Sequence, residues 1–92
     1  MLTLQLTTQF RKDYKLIKKR GYKIRLLENV LQTLLEEKPL DEKHHDHALS
    51  GNYTGFRECH VQPDWLLLYI VDNGQLILTA SRTGTHSDLF GK

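Results

Sequence analysis

One cysteine, two prolines and no apolar run longer than the seven residues of "WLLLYIV" bound what this chain is. A single cysteine excludes an internal disulfide framework and leaves no Cys pair to ligate a metal. It fits a reducing compartment. No segment approaches the ~20 apolar residues that cross a bilayer. The opening "MLTLQLTTQF" has no basic segment ahead of an apolar block, so no secretory signal is read there. The expectation is a cytoplasmic protein with no membrane partner. Ninety-two residues, 39% hydrophobic and 26% charged, make one soluble domain spanning 1–92. A chain this short buries a modest core and has a thin stability margin.

Acidic residues are scarce in one place. Residues 11–25, "RKDYKLIKKRGYKIR", hold eight Lys or Arg and one Asp, while the other 77 residues hold five Lys or Arg and ten acids. A basic stripe therefore lies on a mildly acidic body. It fits a polyanion such as nucleic acid or an acidic protein partner. It fits a solvated, lysine-rich helix face equally well.

Leu2, Leu4 and Leu6 alternate with polar residues, the period of a half-buried strand. Thr7 or Thr8 can cap a helix in which Phe10, Tyr14 and Ile17 share a face. Gly21 ends that helix near Arg20. A second helix starts near Tyr22, carries Ile24, Leu27, Leu31 and Leu34 on one stripe, and stops before Pro39. Residues 39–55 read as a loop with a short extended piece at Ala48-Leu49. Three strands follow, at about Phe56–Val61, Trp65–Asp72 and Gln75–Arg82. "VQPDW" makes the first connection and "VDNGQ" the second, with Asn-Gly as a hairpin signal. "LLLYIV" does not alternate, so that strand is central and covered on both faces. The tail is a turn with about one helical turn. This is an α+β chain: an N-terminal strand, a helical hairpin, then an antiparallel three-strand meander, with the helices on one sheet face.

Two consecutive hairpins bring particular side chains together. The Pro63 turn joins His60 to Asp64, and the last strand returns beside Trp65. His60, Asp64, Arg82 and His86 should then gather at one edge of the sheet. Phe56, Glu58 and His60 share a strand face, and Arg57, Cys59 and Val61 share the other. Cys59 therefore points away from His60, which argues against a Cys–His nucleophile and for a small buried residue. His44, His45 and His47 have a spacing that zinc accepts. No regular element fixes them and no cysteine is near, so the reading is a solvated loop and no metal site. Histidines serve either proton role near neutral pH, and arginine forks onto phosphate oxygens. Histidines, an aspartate and an arginine beside a basic stripe suit RNA phosphodiester cleavage, in which the ribose 2′-OH is the nucleophile. Taken singly, each residue has a plainer role. Asp64 braces the turn and Phe90 pins the C-terminus.

The stretches "HALSGNYTGFRECHVQPDWLLLYIV" and "RTGTHSDLFG" resemble the YafQ-type branch of the RelE/ParE superfamily of bacterial toxins. The shared pattern is D-H-x-L-x-G, then G-x-R-[DE]-x-H-[VI]-x-P-D-W-[IL]-L-[IL]-Y, then R-x-G-[ST]-H-x-x-L-F. It is specific from Asp46 to Gly91, and the N-terminal helices match only in pattern and basic character. The resemblance implies a RelE-like fold and a type II toxin. It implies a ribosome-dependent endonuclease that cuts messenger RNA in the A site without a cofactor or metal. A cognate DinJ/RelB-type antitoxin would silence it, and operator DNA would be met only through that complex. His47, His60, Asp64 and His86 fall on catalytic positions, and Arg82, Phe90 and Trp65 on substrate-binding ones. Lys12, Lys15, Lys18, Lys19 and Arg20 would meet ribosomal RNA. Within the set, His86 is taken as general acid, with His60 or His47, assisted by Asp64, as base. Glu58 stands where the pattern takes Glu or Asp and receives no role. Two other readings stay open. One is a non-catalytic ParE-like toxin of DNA gyrase, which would not need three histidines together. The other is a metal protein built on His44, His45 and His47.

Overall fold

Thr7 both ends a strand and starts a helix. Its Oγ1 accepts from the Phe10 N–H at 2.9 Å and donates to the Ser81 carbonyl at 2.8 Å. In the computed structural model, which describes residues 1–91, β1 (Thr3–Leu6) thus passes directly into α1 (Thr8–Lys19). Gly21, at φ +83°, turns the chain into α2 (Ile24–Leu35). That conformation is open to glycine at no steric cost. Four strands follow: β2 (His47–Ala48), β3 (Arg57–Gln62), β4 (Trp65–Asp72) and β5 (Ile77–Gly84). The short α3 (His86–Phe90) comes last.

The sheet order is β1-β5-β4-β3-β2, with β1 parallel to β5 and every other pair antiparallel. The hairpin of α1 and α2 packs on one face, where Phe10, Ile17, Leu27, Cys59, Trp65 and Leu67 form the main core. On the opposite face Leu66 and Leu68 are buried under Leu89, with Leu49 and Phe90 packed alongside. Strand β4 is therefore central and covered on both faces, as its unbroken apolar run requires.

The expected α+β architecture stands, with local differences. The helical hairpin occupies one face as expected, but α3 and Leu49 cover part of the other, because Leu66 and Leu68 need burial too. Strand β1 sits at the sheet edge, so Leu2 is buried while Leu4 and Leu6 are each 37% exposed. The extended piece expected at Ala48-Leu49 lies at His47–Ala48. Strand β5 runs two residues past Arg82, and the Asn-Gly turn widens to a four-residue loop over 73–76. There Leu76 sits at φ 57° and Asp72 Oδ1 accepts from the Gln75 N–H at 3.1 Å.

Among the described residues no strand flanks the outer edge of β5 beyond Leu6, and buried backbone groups there need partners. Thr7 and Asp13 supply them. The Thr7 N–H donates to the Ala80 carbonyl at 3.2 Å, and the Thr83 N–H donates to Asp13 Oδ2 at 3.1 Å. One buried carboxylate on α1 therefore replaces a strand at the end of β5 that leads to His86.

Candidate active site

The Pro63 turn and the start of α3 meet at Asp64. Its Oδ1 accepts from the His86 backbone N–H at 3.0 Å and from His86 Nδ1 at 2.6 Å. The His86 backbone N–H, and then its ring, hold the Asp64 carboxyl below the usual carboxylate range. With Nδ1–H committed to Asp64, His86 keeps Nε2 for chemistry, on a side chain that is 45% exposed. Thr85 caps α3 in a reciprocal box with Asp88, and this fixes the ring at the first helical position.

Three of the other four histidines are pinned through Nδ1 as well. His60 Nδ1 lies 3.1 Å from the Pro63 carbonyl, His47 Nδ1 2.6 Å from the His45 carbonyl, and His44 Nδ1 2.6 Å from the His60 carbonyl. A carbonyl only accepts, so each Nδ1 carries the proton and donates. The His60 ring stands 5.7 Å from the His86 ring and 5.6 Å from that of His45. His47 reaches this end because β2 pairs with β3, placing His47 opposite Glu58. Asp46 anchors that pairing: it accepts from the Tyr69 hydroxyl at 2.6 Å and from Arg57 at 3.2 Å. Burial and the Asp46 hydrogen bond push the Tyr69 hydroxyl well above its ordinary value.

Three sequence expectations need revision. Asp64 pairs with His86 and not with His60 or His47. The carboxylate nearest those two is Glu58, whose Oε1 is 3.5 Å from His47 Nε2 and 3.6 Å from His60 Nε2. Trp65 is 1% exposed: its indole donates to Thr83 Oγ1 at 2.9 Å, and its ring meets Tyr22 edge-on at 5.1 Å. A side chain so enclosed packs beneath the strand end and presents almost no surface to a ligand. Arg20 does not belong wholly to the free basic stripe, since its guanidinium forks onto Asp88 of α3 at 2.7 and 3.1 Å. Lys12, Lys15, Lys18 and Lys19 stay exposed.

Arg82 stands opposite Leu68, as Glu58 does, so it shares the site's face. Its Nε and Nη2 are held by Asp13 at 2.8 and 3.1 Å, which leaves Nη1 without a hydrogen bond among the described residues. Phe90 meets Tyr53 edge-on at 5.4 Å, and Tyr53, His86, Leu89 and Phe90 line an open cleft of about 570 Å³. Cys59 is fully buried on the other face, and burial pushes its thiol up to about 12, as an inert packing residue requires. Of the loop histidines, His44 and His45 support His60. Among the described residues no group of three or more His, Cys, Asp or Glu is arranged to hold a metal ion. Sequence reasoning missed Asp13, Asp46, Tyr53 and the role of Glu58. For Glu58 a signal existed: it lies on the strand face of His60.

Over residues 2–91 the chain matches the family described as bacterial toxin of type II toxin–antitoxin system, YafQ. It belongs to the YafQ toxin family. The mRNA interferase toxin YafQ of Escherichia coli K12 is 37% identical over 89 residues, covering 96% of this chain and 95% of that one. YafQ in the E. coli DinJ–YafQ complex superposes with a TM-score of 0.90 at 36% identity, over 99% of this chain and all of that one. A metal-bound toxin from Helicobacter pylori superposes at 0.93 with 42% identity, over 98% of this chain and all of that one. These likenesses agree with the α+β sheet and helical hairpin described above.

The Arg20–Asp88 clasp leads to a pH-dependent prediction. Hydrogen bonds from the Arg20 side chain, and then from the Thr85 backbone, hold the Asp88 carboxyl far below the usual range. A carboxyl depressed in the folded state stabilises it above the unfolded value of about 3.9, and that contribution fades as pH falls toward the folded value. Asp88→Asn should therefore be less stable than wild type at pH 7. In urea titrations run at several pH values, the gap should narrow steadily below about pH 4. An unchanged gap would remove Asp88 from the account of how α3 is held.

Proposed function

We propose that this YafQ-family chain is a ribosome-dependent messenger RNA endonuclease, silenced by a DinJ-like antitoxin with which it also represses its operon. The observation that carries the reading is the set of oriented imidazoles at one sheet end, with Asp64 behind His86 and Glu58 behind His47 and His60. Such a set performs proton transfer on both sides of a phosphodiester. An imidazole Nε2 of His60 or His47 takes the ribose 2′-OH proton as the 2′-oxygen attacks phosphorus. The P–O5′ bond breaks, His86 gives its proton to the departing 5′-oxygen, and a 2′,3′-cyclic phosphate remains. Asp64, 2.6 Å from Nδ1, balances positive charge on His86 before transfer. Arg82 offers its free Nη1 edge to the developing charge on phosphate. The Tyr53–Phe90 cleft offers an aromatic surface to an unstacked base. No protein nucleophile, cofactor or metal takes part, and the action is cytoplasmic.

Two results test this reading. Protein stripped of transition metals by a chelator and returned to magnesium buffer should cut ribosome-bound message at an unchanged rate, with added metal giving no increase. Loss of cutting on stripping would end the metal-free mechanism. The exposed lysines should serve binding and not chemistry. Replacing Lys12, Lys15, Lys18 and Lys19 together by Gln should raise the ribosome concentration needed for half-maximal cutting and leave the saturated rate alone. The slope of log affinity against log salt should also fall, by ~0.7–0.9 for each phosphate the protein no longer neutralises. Intact message together with trapped gyrase–DNA cleavage complexes would favour the ParE-like alternative instead.

A further inference from the structure

Glu58 is a carboxylate only 7% exposed, and no lysine or arginine pairs with it among the described residues. A buried charge is costly unless something answers it. What faces Glu58 Oε1 is His47 Nε2 at 3.5 Å from β2 and His60 Nε2 at 3.6 Å from its own strand β3. Both imidazoles already donate Nδ1–H to backbone carbonyls, of His45 and Pro63. When neutral, each therefore turns an Nε2 lone pair toward the same carboxylate oxygen. Glu58 Oε1 thus lies between two Nε2 atoms, each slightly beyond hydrogen-bond distance, and a proton on either imidazole would face it.

We infer that His47, Glu58 and His60 form one proton-sharing unit, with Glu58 the positioning residue that holds both imidazoles for proton abstraction. This rests on the nuclease reading above and names the carboxylate that supports its base. With one proton in place the unit is neutral: one imidazolium faces Glu58, and the other Nε2 is an open acceptor. Taking the 2′-OH proton brings the unit to two protons, two imidazoliums flanking one carboxylate. Releasing a proton to water afterwards restores the start. Around this unit, the rings of His45 and His86 lie 5.6 and 5.7 Å from His60. His86 belongs to Asp64, and Arg82, on the far side of β4 from Glu58, belongs to Asp13. None of these supplies Glu58 with a proton.

The test has one arm on the wild type and one on variants. In long-range 1H–15N spectra of metal-stripped wild-type protein, His47 and His60 should both be Nδ1–H tautomers. They should titrate as a coupled pair, each curve showing two steps. In Glu58→Gln the steps should merge into independent single ones. In ribosome-dependent cutting, Glu58→Gln should lower kcat about 10²-fold with KM unchanged, the scale of one lost proton-transfer partner. Glu58→Asp, which keeps the charge, should recover most of that loss. Independent single-step curves in the wild type would overturn the inference without touching the nuclease reading, as would full cutting by Glu58→Gln. A wild type that shows coupled titration but never cuts RNA would keep the proton-sharing unit and overturn its role in cleavage.

Discussion

On the proposed mechanism, replacing His86 by alanine should lower ribosome-dependent cutting by about 10³-fold, within the range that a positioned acid or base contributes, and growth arrest in cells should disappear with it. The size of the effect follows from where the ring sits. His86 stands at the first position of α3 with a 45% exposed side chain, and among the described residues its ring hydrogen-bonds only to Asp64, itself 66% exposed. An exposed pair of this kind adds little to stability. The Thr85–Asp88 box that starts α3 does not involve the ring. The variant should therefore melt close to wild type. Asp64→Asn keeps an oxygen for the backbone N–H but removes the charge, so its loss should be smaller than that of His86→Ala. A His86→Ala protein that folds normally and still cuts would remove the general acid from the mechanism.

Trp65→Ala should do its damage through stability instead, lowering it by about 3–5 kcal/mol, the range for deleting a buried aromatic. The indole is enclosed between the helical hairpin and the sheet, against Tyr22, and its N–H satisfies Thr83 Oγ1. Thr83 Oγ1 in turn donates to the Leu66 carbonyl at 2.7 Å, so the change disturbs the strand end that carries Thr85 and His86. Small domains hold ~5–15 kcal/mol in all, and this one belongs toward the lower end, so much of the sample should be unfolded at 37 °C. Trp65→Phe keeps most of the bulk and loses the hydrogen bond, costing about 1–2 kcal/mol. It should cut at nearly the wild-type rate at 20 °C. Urea denaturation beside a cutting assay separates the two possibilities. Native stability in Trp65→Phe with cutting down 100-fold would return Trp65 to direct substrate binding.

The parts of this molecule that were legible in the sequence are those set by local pattern. The Pro63 turn, the hairpin through Asn73-Gly74 and the unbroken run of β4 placed the meander, and with it the meeting of His60, Asp64 and His86. The alternation of β3 sent Cys59 into the core and His60 to the site. What failed to show depends on packing between distant segments. Strand β1 pairs in parallel with β5 at the sheet edge, and nothing in "LTLQL" announces which strand it joins. Proximity in sequence favours His60 as the partner of Asp64, but the cap at Thr85 aims His86 at it from 22 residues away. Asp13, the lone acid in a basic run, was visible as an oddity, yet its purpose appears only where β5 outruns β1. Trp65 shares its motif with His60 and Asp64, and only the fold shows it enclosed while they stand at the surface of the site.

The central claim is that the ribose 2′-oxygen, and no group of the protein, attacks the phosphate. The most direct measurement programs ribosomes with a synthetic message carrying a single 2′-deoxy nucleotide on the 5′ side of the mapped cut, beside the all-ribose message. The expected result is cutting of the ribose message to a 2′,3′-cyclic phosphate end and no cutting at the deoxy position, with protein and ribosomes unchanged. Equal cutting of the two messages would contradict it. The histidines gathered around Asp64 and Glu58 would then need a different reaction.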